Sequence, residues 1–370
     1  MMADEWIGIV KSTRPKYMKG ASDLTIRKRL FLAMLQKRGR IETNNSGTEL
    51  RWQAEYSQPP VQTHADGGVV DFSNHDAFKQ LAIDWRGYYA TDTMSRKQQE
   101  MNKGDEALIN LFQTKSNRLQ KAITDTFSAE LYKDGEAAGR ESAIHGLETF
   151  LAGSATAADK VARPNDSYGL TALSTVPGAA GGAWSSGLAT PNNAAIGTDW
   201  PDGQGDSEYD YLSPKLVNWS STNWGTSSTA WEDNAWRVVS QTITWLTTTG
   251  GEDGMPQYFG LASNLFQGYK NAQEVKTRIM VPHKEASDLG FGQALNQDGC
   301  ALYSDFDCPV NTGYALNLAH ISVCSLFPQL LWMEGPDKDP RSLWSYLWGV
   351  GFYGNVKYQP KHVAKLFNYA

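Results

Sequence analysis

One stretch of the chain, Met101 to Gly135, constrains the fold more than any other part of the sequence. Six apolar residues recur along it at spacings of four or seven: Leu108, Phe112, Leu119, Ile123, Phe127 and Leu131. Such spacing places them on one face of a helix, and at 1.5 Å per residue this face is about 35 Å long. No second helix of matching length follows and the heptads do not continue, which disfavours a coiled coil. The sequence therefore predicts a long single helix that supports a sheet packed along one of its sides.

Two segments before this helix also have a clear period. The stretch SDLTIRKRLFLAMLQKRG predicts a helix with Ser22 as its N-cap and Gly39 at its end. The alternating stretches ELRWQAEYS (49–57) and QLAIDWRG (80–87) predict the two strands of a hairpin, joined by a long polar loop. An isolated two-stranded hairpin is only marginally stable in water. Because the sequence offers it no adjacent cover, the hairpin is expected to need another surface to lie on.

The later part of the chain predicts alternating helices and strands. A helix is predicted in STAWEDNAWRVVSQTITWLTTTGG, with Thr229 and Glu232 at the spacing of a capping box. After it, VKTRIMVP predicts a strand, HKEASDLGF a short helix, DCPVNTGYALNLAHISVCSL one or two strands, and SLWSYLWGVGFYGNVKYQPKHVAKLF two antiparallel strands around Gly354-Asn355. Alternation of this kind indicates a compact α/β layer.

The segment 150–228 has a different character, being rich in Gly, Ala, Ser, Thr, Asn and Trp. Seven of the thirteen tryptophans fall between Trp184 and Trp245. We expect irregular surface loops here, with tryptophans as anchors of a loop-rich body. Tryptophans also stack on sugars, but no carboxylate pair at a defined spacing accompanies these, so core and anchoring roles are favoured.

The net charge of −6 is unevenly distributed along the chain. Residues 1–40 hold ten basic and three acidic side chains, a net of +7, whereas residues 141–340 hold nine basic and twenty-two acidic ones, a net of −13. A basic arm on an acidic body indicates two surfaces that meet different partners, one of them a polyanion. A solvated, charged helix explains the same pattern equally well. No nucleic-acid fold signature is present, so contacts with a nucleic acid would be to phosphates.

Composition disfavours several classes of protein. Hydrophobic residues make up 41% of the chain, which is enough to bury a core and excludes a disordered protein. No apolar run approaches the roughly 18 residues of a spanning helix, and the start has no apolar signal core, so we expect a soluble protein made inside the cell. The three cysteines, Cys300, Cys308 and Cys324, are too few for a disulfide framework and are expected to be small buried hydrophobes rather than metal ligands.

The motifs of catalysis are nearly absent from the sequence. The six histidines are scattered, no glycine loop for phosphate is present, and no serine has the context of a nucleophile elbow. Five carboxylates gather in DWPDGQGDSEYDY, namely Asp199, Asp202, Asp206, Glu208 and Asp210. Their spacing is not that of an EF-hand, so a solvated acidic loop is favoured over a calcium site. The sequence therefore predicts neither an enzyme nor a bound metal or cofactor.

The order of the elements resembles that of the major capsid protein of tailed bacteriophages, which has the Hong Kong 97 fold. Four stretches carry the resemblance. The pair ELRWQAEYS and QLAIDWRGYYATDTMS resembles the extended loop of the family, and KQQEMNKGDEALINLFQTKSNRLQKAITDTFSAELYKDG resembles its spine helix. The stretch GFGQALNQDGCALYSDFDCPVNTGYALNL resembles the axial-domain strands, with Asp305 and Pro309 before Tyr314 and Asn317, and FYGNVKYQPKHVAKLFN resembles the returning strand of the peripheral domain. The resemblance runs from about residue 22 to 370, although 150–228 matches little.

This resemblance implies an α+β fold with an N-terminal arm, an extended β-hairpin loop, a peripheral domain with a long spine helix, and an α/β axial domain. In this sequence the parts would be 1–40 (N-terminal arm and helix), 41–95 (extended loop), 96–140 with 335–370 (peripheral domain), and 141–334 (axial domain, with a Trp/Gly-rich insertion at about 175–228).

The function that the resemblance implies is structural. The chain would self-assemble into the pentamers and hexamers of an icosahedral phage head that encloses double-stranded DNA. Its partners would be further copies of itself, DNA packaged without sequence specificity, a separate scaffolding protein, a portal, and a cement or decoration protein, with no membrane. The protein would be made in the cytoplasm of a bacterial host and located in the capsid of the virion.

Two sets of candidate site residues follow from the resemblance. A basic inner surface facing the DNA would consist of Lys11, Arg14, Lys16, Lys19, Arg27, Lys28 and Arg29. An extended loop lying over a neighbouring subunit would contact it through Trp52, Tyr56, Phe72, Phe78 and Trp85. The competing interpretations are a Trp-rich glycan-binding or glycan-cleaving protein, and a phage tail or decoration protein, for which short strands without a long helix are expected.

Overall fold

The chain folds into two large β-sheets with helices packed on them. A computed structural model describes residues 29–55, 61, 63, 78–101, 105–151, 167–168, 171–172, 214–220, 224, 226–274, 294–340 and 345–368. Within these ranges the strands form a five-stranded sheet, a six-stranded sheet and two separate two-stranded pairs.

The elements are numbered in chain order. The helices are α1 (Leu30–Lys37), α2 (Arg96–Met101), α3 (Asp105–Glu130), α4 (Glu148–Leu151), α5 (Trp231–Gly250) and α6 (Ser263–Glu274). The strands are β1 (Ile41–Glu42), β2 (Glu49–Glu55), β3 (Phe78–Asp84), β4 (Arg86–Ser95), β5 (Ser167–Tyr168), β6 (Thr171–Ala172), β7 (Lys215–Asn218), β8 (Tyr258–Leu261), β9 (Ala294–Gln297), β10 (Cys300–Ser304), β11 (Gly313–Leu316), β12 (Ile321–Ser325), β13 (Trp332–Lys338), β14 (Ser345–Tyr358) and β15 (Val363–Phe367). Single turns of 3-10 helix occupy Gly251–Asp253, Leu318–His320 and Pro360–His362.

The first sheet is built around β14. Along one side it pairs antiparallel with β4, from Ser345 opposite Ser95 to Gly354 opposite Arg86. On the other side β13 pairs with its first half and β12 with its second half, and β1 lies parallel to β12. Strand β4, which falls within the extended loop predicted at 41–95, is therefore a strand of this sheet.

The prediction of two antiparallel strands around Gly354-Asn355 is wrong. These residues lie inside one continuous strand of 14 residues. Gly354 is a point of close approach rather than a turn, because a Cβ atom there would overlap the carbonyl oxygen of Cys324 on β12. Asn355 donates from Nδ2 to the carbonyl oxygen of Asp84 at 2.8 Å, which ties the end of β3 to the sheet. A glycine-asparagine pair thus serves packing here, although it is typical of hairpin turns.

The long helix is confirmed as α3, with 26 residues, and it packs against the first sheet as predicted. The ring of Phe112 lies 5.3 Å from that of Trp348, and the ring of Phe127 lies 4.8 Å from that of Phe352. Trp348 and Phe352 are both on β14 and are separated by an even number of residues, so their side chains lie on the same face of the sheet. From Phe112 to Phe127 the apolar stripe of α3 is therefore covered by a sheet.

The second sheet has the strand order β7-β15-β11-β8-β10-β9. It is mixed, because β8 and β10 are parallel, as are β7 and β15, whereas the other neighbours are antiparallel. Helices α5 and α6 pack together on it, and Val239, Leu265 and Phe259 belong to the same buried cluster. This arrangement confirms the predicted α/β layer. The strand predicted at 275–282 and the short helix predicted at 283–291 lie outside the described residues.

The starts of two helices differ from the prediction. A continuous helix from Ser22 is wrong, because Arg29 has an extended backbone (φ −111°, ψ 116°) and α1 begins after it. The capping box at Thr229 is also wrong, because the N-cap of α5 is Ala230 and no side chain caps this helix. Instead Ser228 Oγ accepts a hydrogen bond from Ala230 N at 3.1 Å. In both cases the helix begins after the residue that local sequence preference favours.

The hairpin of β2 and β3 is confirmed, with seven residues in each strand. The expectation that the chain offers it no cover is wrong. Leu50 and Leu81 are 4% and 0% exposed and belong to the main core cluster. At the last described pair, however, the side chain of Phe78 is 58% exposed. The hairpin is therefore anchored to its own body along one face and presents an aromatic side chain where its described part ends.

A buried polar cluster ties the end of α3 to the second sheet. Tyr132 donates to Asp305 Oδ2 at 2.7 Å, and Tyr258 on β8 donates to the same oxygen. Burial, reinforced by the charge of Asp305, raises the pKa of both tyrosines well above the ordinary value, so both hydroxyls remain donors. Two residues further on, Asp307 accepts from Arg29 at 2.8 Å. The loop after β10 thus holds α1 and α3 against the second sheet.

Replacing Asp305 with alanine is expected to lower the free energy of unfolding by roughly 2–6 kcal/mol. The carboxylate is 3% exposed. Its loss leaves the N–H of Asp307 and one of the two tyrosine hydroxyls without an acceptor, because the hydroxyls lie 3.1 Å apart and one can donate to the other, and each unpaired group costs about 1–3 kcal/mol. The measurement is denaturant unfolding followed by tryptophan fluorescence. Asp305→Asn keeps a carbonyl acceptor and is the matched control, for which a clearly smaller loss is expected. A loss below about 1 kcal/mol for the alanine variant would show that this cluster does not hold the two parts together.

Candidate interaction surface

The chemistry-bearing side chains of the described residues are mostly buried. Cys300, Cys308 and Cys324 are free and buried, as predicted. Burial raises the pKa of Cys300 to about 12, so this thiol stays protonated. Across the described ranges no group of three or more side chains is placed to hold a metal ion, and none of the helices there combines the length and apolar character of a membrane span.

A groove runs along the outer face of the first sheet, on the side opposite α3. Trp348, Val350 and Phe352 are buried on the α3 side, so the odd-numbered residues of β14 face outward. Two of these are Gly349 and Gly351, which leave bare backbone along the central strand. The space above this floor has a volume of about 590 Å³.

Aromatic side chains form the walls of the groove. Gly351 pairs with Tyr89 on β4 and with Trp332 on β13, so one ring stands on each side of the bare backbone. Tyr89 is 81% exposed. Phe327 stacks on Trp332 with ring centroids 5.7 Å apart and meets the ring of Tyr353 edge-on at 5.9 Å. The groove is therefore bordered by aromatic rings on both sides and at one end.

Charged groups line the rim of the groove at its other end. Gly349 pairs with Glu334 on β13, and Glu334 Oε1 accepts from Trp332 Nε1 at 2.7 Å, which fixes the orientation of the indole. Asp337 and Lys338 also line this end. A molecule in the groove would contact a mainly apolar surface with charges of both signs at its edge.

The glycine at position 351 is not required by the fold of the chain itself. A Cβ atom there would lie 3.7 Å from its nearest neighbour, the carbonyl oxygen of Tyr88, which is an ordinary contact. A glycine inside a strand is less stable than alanine by roughly 0.5–1 kcal/mol. Such a glycine often marks a place where a ligand or another backbone approaches closely. Gly351 thus keeps the floor open at some cost in stability, which is typical of a binding surface.

The predicted contact residues of the extended loop lie in different environments. Trp52 is partly buried against the main core, and Trp85 donates from Nε1 to the carbonyl oxygen of Gly47 at 3.0 Å. Phe78 is the mostly exposed aromatic of this set within the described part of the hairpin. Tyr56 and Phe72 lie outside the described residues. Their role in contacting a neighbour stays a prediction.

The basic arm is represented in the structure by one residue. Arg29 forms ion pairs with Asp125 on α3 at 2.6 Å and with Asp307 at 2.8 Å, and its guanidinium lies 5.3 Å from the ring of Phe306. Its charge is thus engaged by its own chain. Lys11, Arg14, Lys16, Lys19, Arg27 and Lys28 lie outside the described residues. That the arm faces nucleic acid stays a prediction.

Tryptophans of the later segment serve mainly as core residues where the structure describes them. Trp224 and Trp245 are fully buried, and Trp219 and Trp231 are each 7% exposed. Trp236 is the more exposed exception, at 47%. The acidic stretch Asp199, Asp202, Asp206, Glu208 and Asp210 and most of the insertion at 175–228 lie outside the described residues.

The groove was not predicted from the sequence. The sequence feature that indicates its floor is the alternation in Trp348–Phe352, where bulky residues occupy even positions and glycines occupy odd ones. In a strand this alternation places the glycines together on one face. The walls could not be found in the same way, because Tyr89 and Trp332 are distant in sequence and meet Gly351 only through strand register.

No family model matches this chain, and no curated protein matches it in sequence. Solved structures do match it in fold. The chain is similar to a chain of the capsid of a native GTA particle, with a TM-score of 0.55, 11% identity and coverage of 90% of both chains. It is similar to a chain of the cyanophage A-1(L) capsid, with a TM-score of 0.53, 11% identity and coverage of 89% of this chain and 90% of that one. It is also similar to a chain of the capsid of an empty GTA particle, with a TM-score of 0.51, 10% identity and coverage of 90% and 96%. At this identity the likeness shows the fold, which is the α+β fold of these capsid chains.

Proposed function

We propose that this chain is the major capsid protein of a tailed bacteriophage, a Hong Kong 97-like subunit that assembles into the pentamers and hexamers of an icosahedral head enclosing double-stranded DNA. The observation that carries the proposal is the likeness in fold to phage and GTA-particle capsid chains over 89% and 90% of this chain. The spine helix of the proposal is α3, packed against the first sheet in a peripheral domain. The second sheet with α5 and α6 is the proposed axial domain.

The proposed contact between subunits joins the hairpin of one copy to the groove of the next. The hairpin leaves the first sheet where β4 begins, at Arg86, which pairs with Gly354. The groove extends toward the opposite end of the sheet, where Leu347 pairs with Thr93. A copy displaced along this direction would bring its hairpin, with the exposed Phe78, over the groove. Contacts of this head-to-tail kind close into rings when the rotation between copies allows it.

Repetition explains why a groove of moderate size is sufficient in this proposal. Each subunit in a ring would offer one groove and one hairpin, so it would take part in two such contacts. Linked contacts act as intramolecular ones once the first has formed, which multiplies their effect on stability. The wall residues Tyr89 and Trp332 are of the types that are enriched in protein interfaces.

The basic arm and the further partners complete the proposal. The basic side chains of the arm would face the packaged DNA and contact its phosphates without reading its sequence, namely Lys11, Arg14, Lys16, Lys19, Arg27 and Lys28. Arg29 is left out of this set because Asp125 and Asp307 engage its charge. A separate scaffolding protein, a portal and a cement or decoration protein would act with the chain during assembly. The location would be the virion capsid after synthesis in the cytoplasm of a bacterial host, and the role would be structural rather than enzymatic.

Most of the described tryptophans argue against the glycan-binding alternative. Sugar stacking needs an exposed ring face, whereas Trp224 and Trp245 are fully buried and Trp231 is 7% exposed; Trp236, at 47%, is a single ring. Titration of the tryptophan fluorescence with oligosaccharides distinguishes the two functions. We expect no change in emission, and a saturable change in a stable monomer would favour the alternative.

Electron microscopy tests the proposed function directly. The full chain is expressed together with the products of its neighbouring genes, and the particles are separated by sedimentation before imaging. We expect closed shells or rings of five and six subunits. A uniform population of monomers under all conditions of salt and concentration would contradict the proposal.

A further inference from the structure

Two short segments that link the sheets run side by side as one ribbon. In the second sheet β11 and β15 are antiparallel neighbours up to the pair of Leu316 with Val363. In the first sheet β12 and β14 continue as antiparallel neighbours from the pair of Ile321 with Tyr358. The connecting segments are 317–320 and 359–362, and each contains a single turn of 3-10 helix. The same two stretches of chain therefore pass together from one sheet to the other.

The two connecting segments are bonded to each other and hold a pair of stacked imidazoles. Asn317 N donates to the carbonyl oxygen of His362, and Gln359 N donates to that of His320, each at 3.2 Å. Between these bonds the rings of His320 and His362 lie face to face, with centroids 3.8 Å apart and planes inclined by 9°. The stack occupies the point at which the ribbon leaves one sheet for the other.

Both rings are placed where a positive charge is disfavoured. His362 is 5% exposed, and a Cβ atom added at Gly250, the last residue of α5, would lie 3.0 Å from its Nδ1. Within the described structure, His362 Nδ1 and His320 Nε2 are buried without a hydrogen-bond partner. Burial lowers the pKa of His362 to about 3 and also lowers that of His320. In the stacked conformation both imidazole rings are therefore neutral.

Charged groups from several elements surround the pair. Lys215 on β7 and Lys361 oppose a proton on one ring, and Arg40 opposes a proton on the other. Asp253 attracts a proton to His320, and a hydrogen bond with the side chain of Gln359 also favours the charged ring. Lys215 is itself buried and donates from Nζ to the carbonyl oxygen of Lys361 at 2.9 Å. At His362 the two lysines add to the effect of burial on the pKa, whereas at His320 Asp253 and Gln359 offset part of it.

We propose that the stacked pair of His320 and His362 is a proton-responsive hinge, which holds the two sheets at a fixed angle at neutral pH and releases them in mild acid. A solvated imidazole takes up a proton near pH 6.5. A conformation in which the rings separate and reach water therefore gains up to about tenfold in population, per histidine, for each pH unit below that value. Because the stack lies between the two links, its separation allows the sheets to tilt about the core that they share. This inference does not depend on the proposed function.

The angle between the sheets is measured with two spin labels on the full chain. Thr91 on β4 and Asn296 on β9 are exposed, one on each sheet, and are replaced by labelled cysteines. The native cysteines are buried and stay in place. Distances between the labels are recorded by pulsed electron paramagnetic resonance at pH 8 and at pH 5.5 on the dilute, unassembled chain. We expect the distance distribution to shift at the lower pH and to return when the pH is raised.

Three variants assign this shift to the stack. His320→Gln and His362→Gln each remove one imidazole and are expected to abolish the dependence on pH. His145→Gln is the matched control, because burial lowers the pKa of His145 to about 3 as well, but its ring lies beside Glu136, outside the linking segments. The control variant is expected to shift like the unmodified chain.

Two results would overturn the hinge. One is a distance distribution that is the same at pH 8 and pH 5.5 in the unmodified chain, and the other is a shift that persists in both glutamine variants. If a glutamine variant does not fold, histidine-labelled unmodified chain is titrated by NMR instead. Proton uptake by His320 or His362 over the same pH range as the distance change supports the hinge, whereas rings that stay neutral through that change contradict it.

Discussion

Replacing Gly354 with alanine is expected to lower the free energy of unfolding by about 3 kcal/mol or more and to reduce the soluble yield sharply. The added Cβ atom would overlap the carbonyl oxygen of Cys324 and lie 2.6 Å from Cζ of Phe352. Neither group can move freely, since one is backbone of β12 and the other is a ring of the main core. Overpacking against fixed atoms strains a close-packed interior. The measurement is denaturant unfolding followed by circular dichroism, with the soluble fraction determined after lysis.

The matched control for this variant is Gly351→Ala on the same strand. Its Cβ atom would lie 3.7 Å from the nearest atom, so the change is expected to stay within about 0.5 kcal/mol of the unmodified chain or to stabilise it slightly. Equal losses for the two variants would show that any glycine of β14 is needed for the strand itself. The difference in packing between positions 354 and 351 would then have no effect on the free energy of unfolding.

Replacing Gly351 with leucine is expected to abolish assembly while leaving the monomer folded. A leucine side chain would stand on the floor between Tyr89 and Trp332 and occupy the space that the proposal gives to a neighbouring subunit. Every 1.4 kcal/mol lost at one contact weakens it about tenfold, and the loss recurs at every copy of the contact in a ring. Sedimentation and electron microscopy report the assembled fraction, and circular dichroism reports the fold.

The control for assembly is again Gly351→Ala, which leaves most of the groove open. We expect it to form particles at a level close to that of the unmodified chain, with valine between alanine and leucine. Particles formed by the leucine variant in normal yield would exclude the groove as the contact between subunits. That result would not contradict the proposed function, because another surface could receive the hairpin. A failure of the unmodified chain to form particles would contradict the proposed function itself.

Local periodicity predicts those elements whose burial is set by one face. The stripe ending at Leu131 identifies α3, and the alternation around Trp52 identifies β2, because each pattern repeats the period of its own element. The same reasoning does not predict where α1 begins. Ser22 is a good capping residue, but Arg29 is held by Asp125 and Asp307, which are distant in sequence, and the helix begins only after it.

The error at Gly354-Asn355 has a similar cause. This pair is a strong local signal for a tight turn. In the fold the glycine admits the backbone of Cys324, and the asparagine binds the carbonyl of Asp84, so both residues serve long-range contacts. The walls of the groove could not be predicted from the local sequence for the same reason, since they are placed by the register of three strands. The structural role was predicted from the order of the elements, which resembles that of tailed-phage capsid proteins, and not from composition.

The positions of β14 and β15 bear on how the chain reaches its fold during synthesis. These strands follow every other strand in chain order, yet β14 is central to the first sheet and β15 lies between β7 and β11 in the second. Since a ribosome delivers the chain from its N-terminus, β4, β12 and β13 keep an open edge until β14 emerges, and β7 and β11 keep one until β15 emerges. Pairing over such long sequence separations is slow and leaves these edges free to aggregate. Nascent chains of this protein should therefore depend on chaperones until translation has passed Phe367.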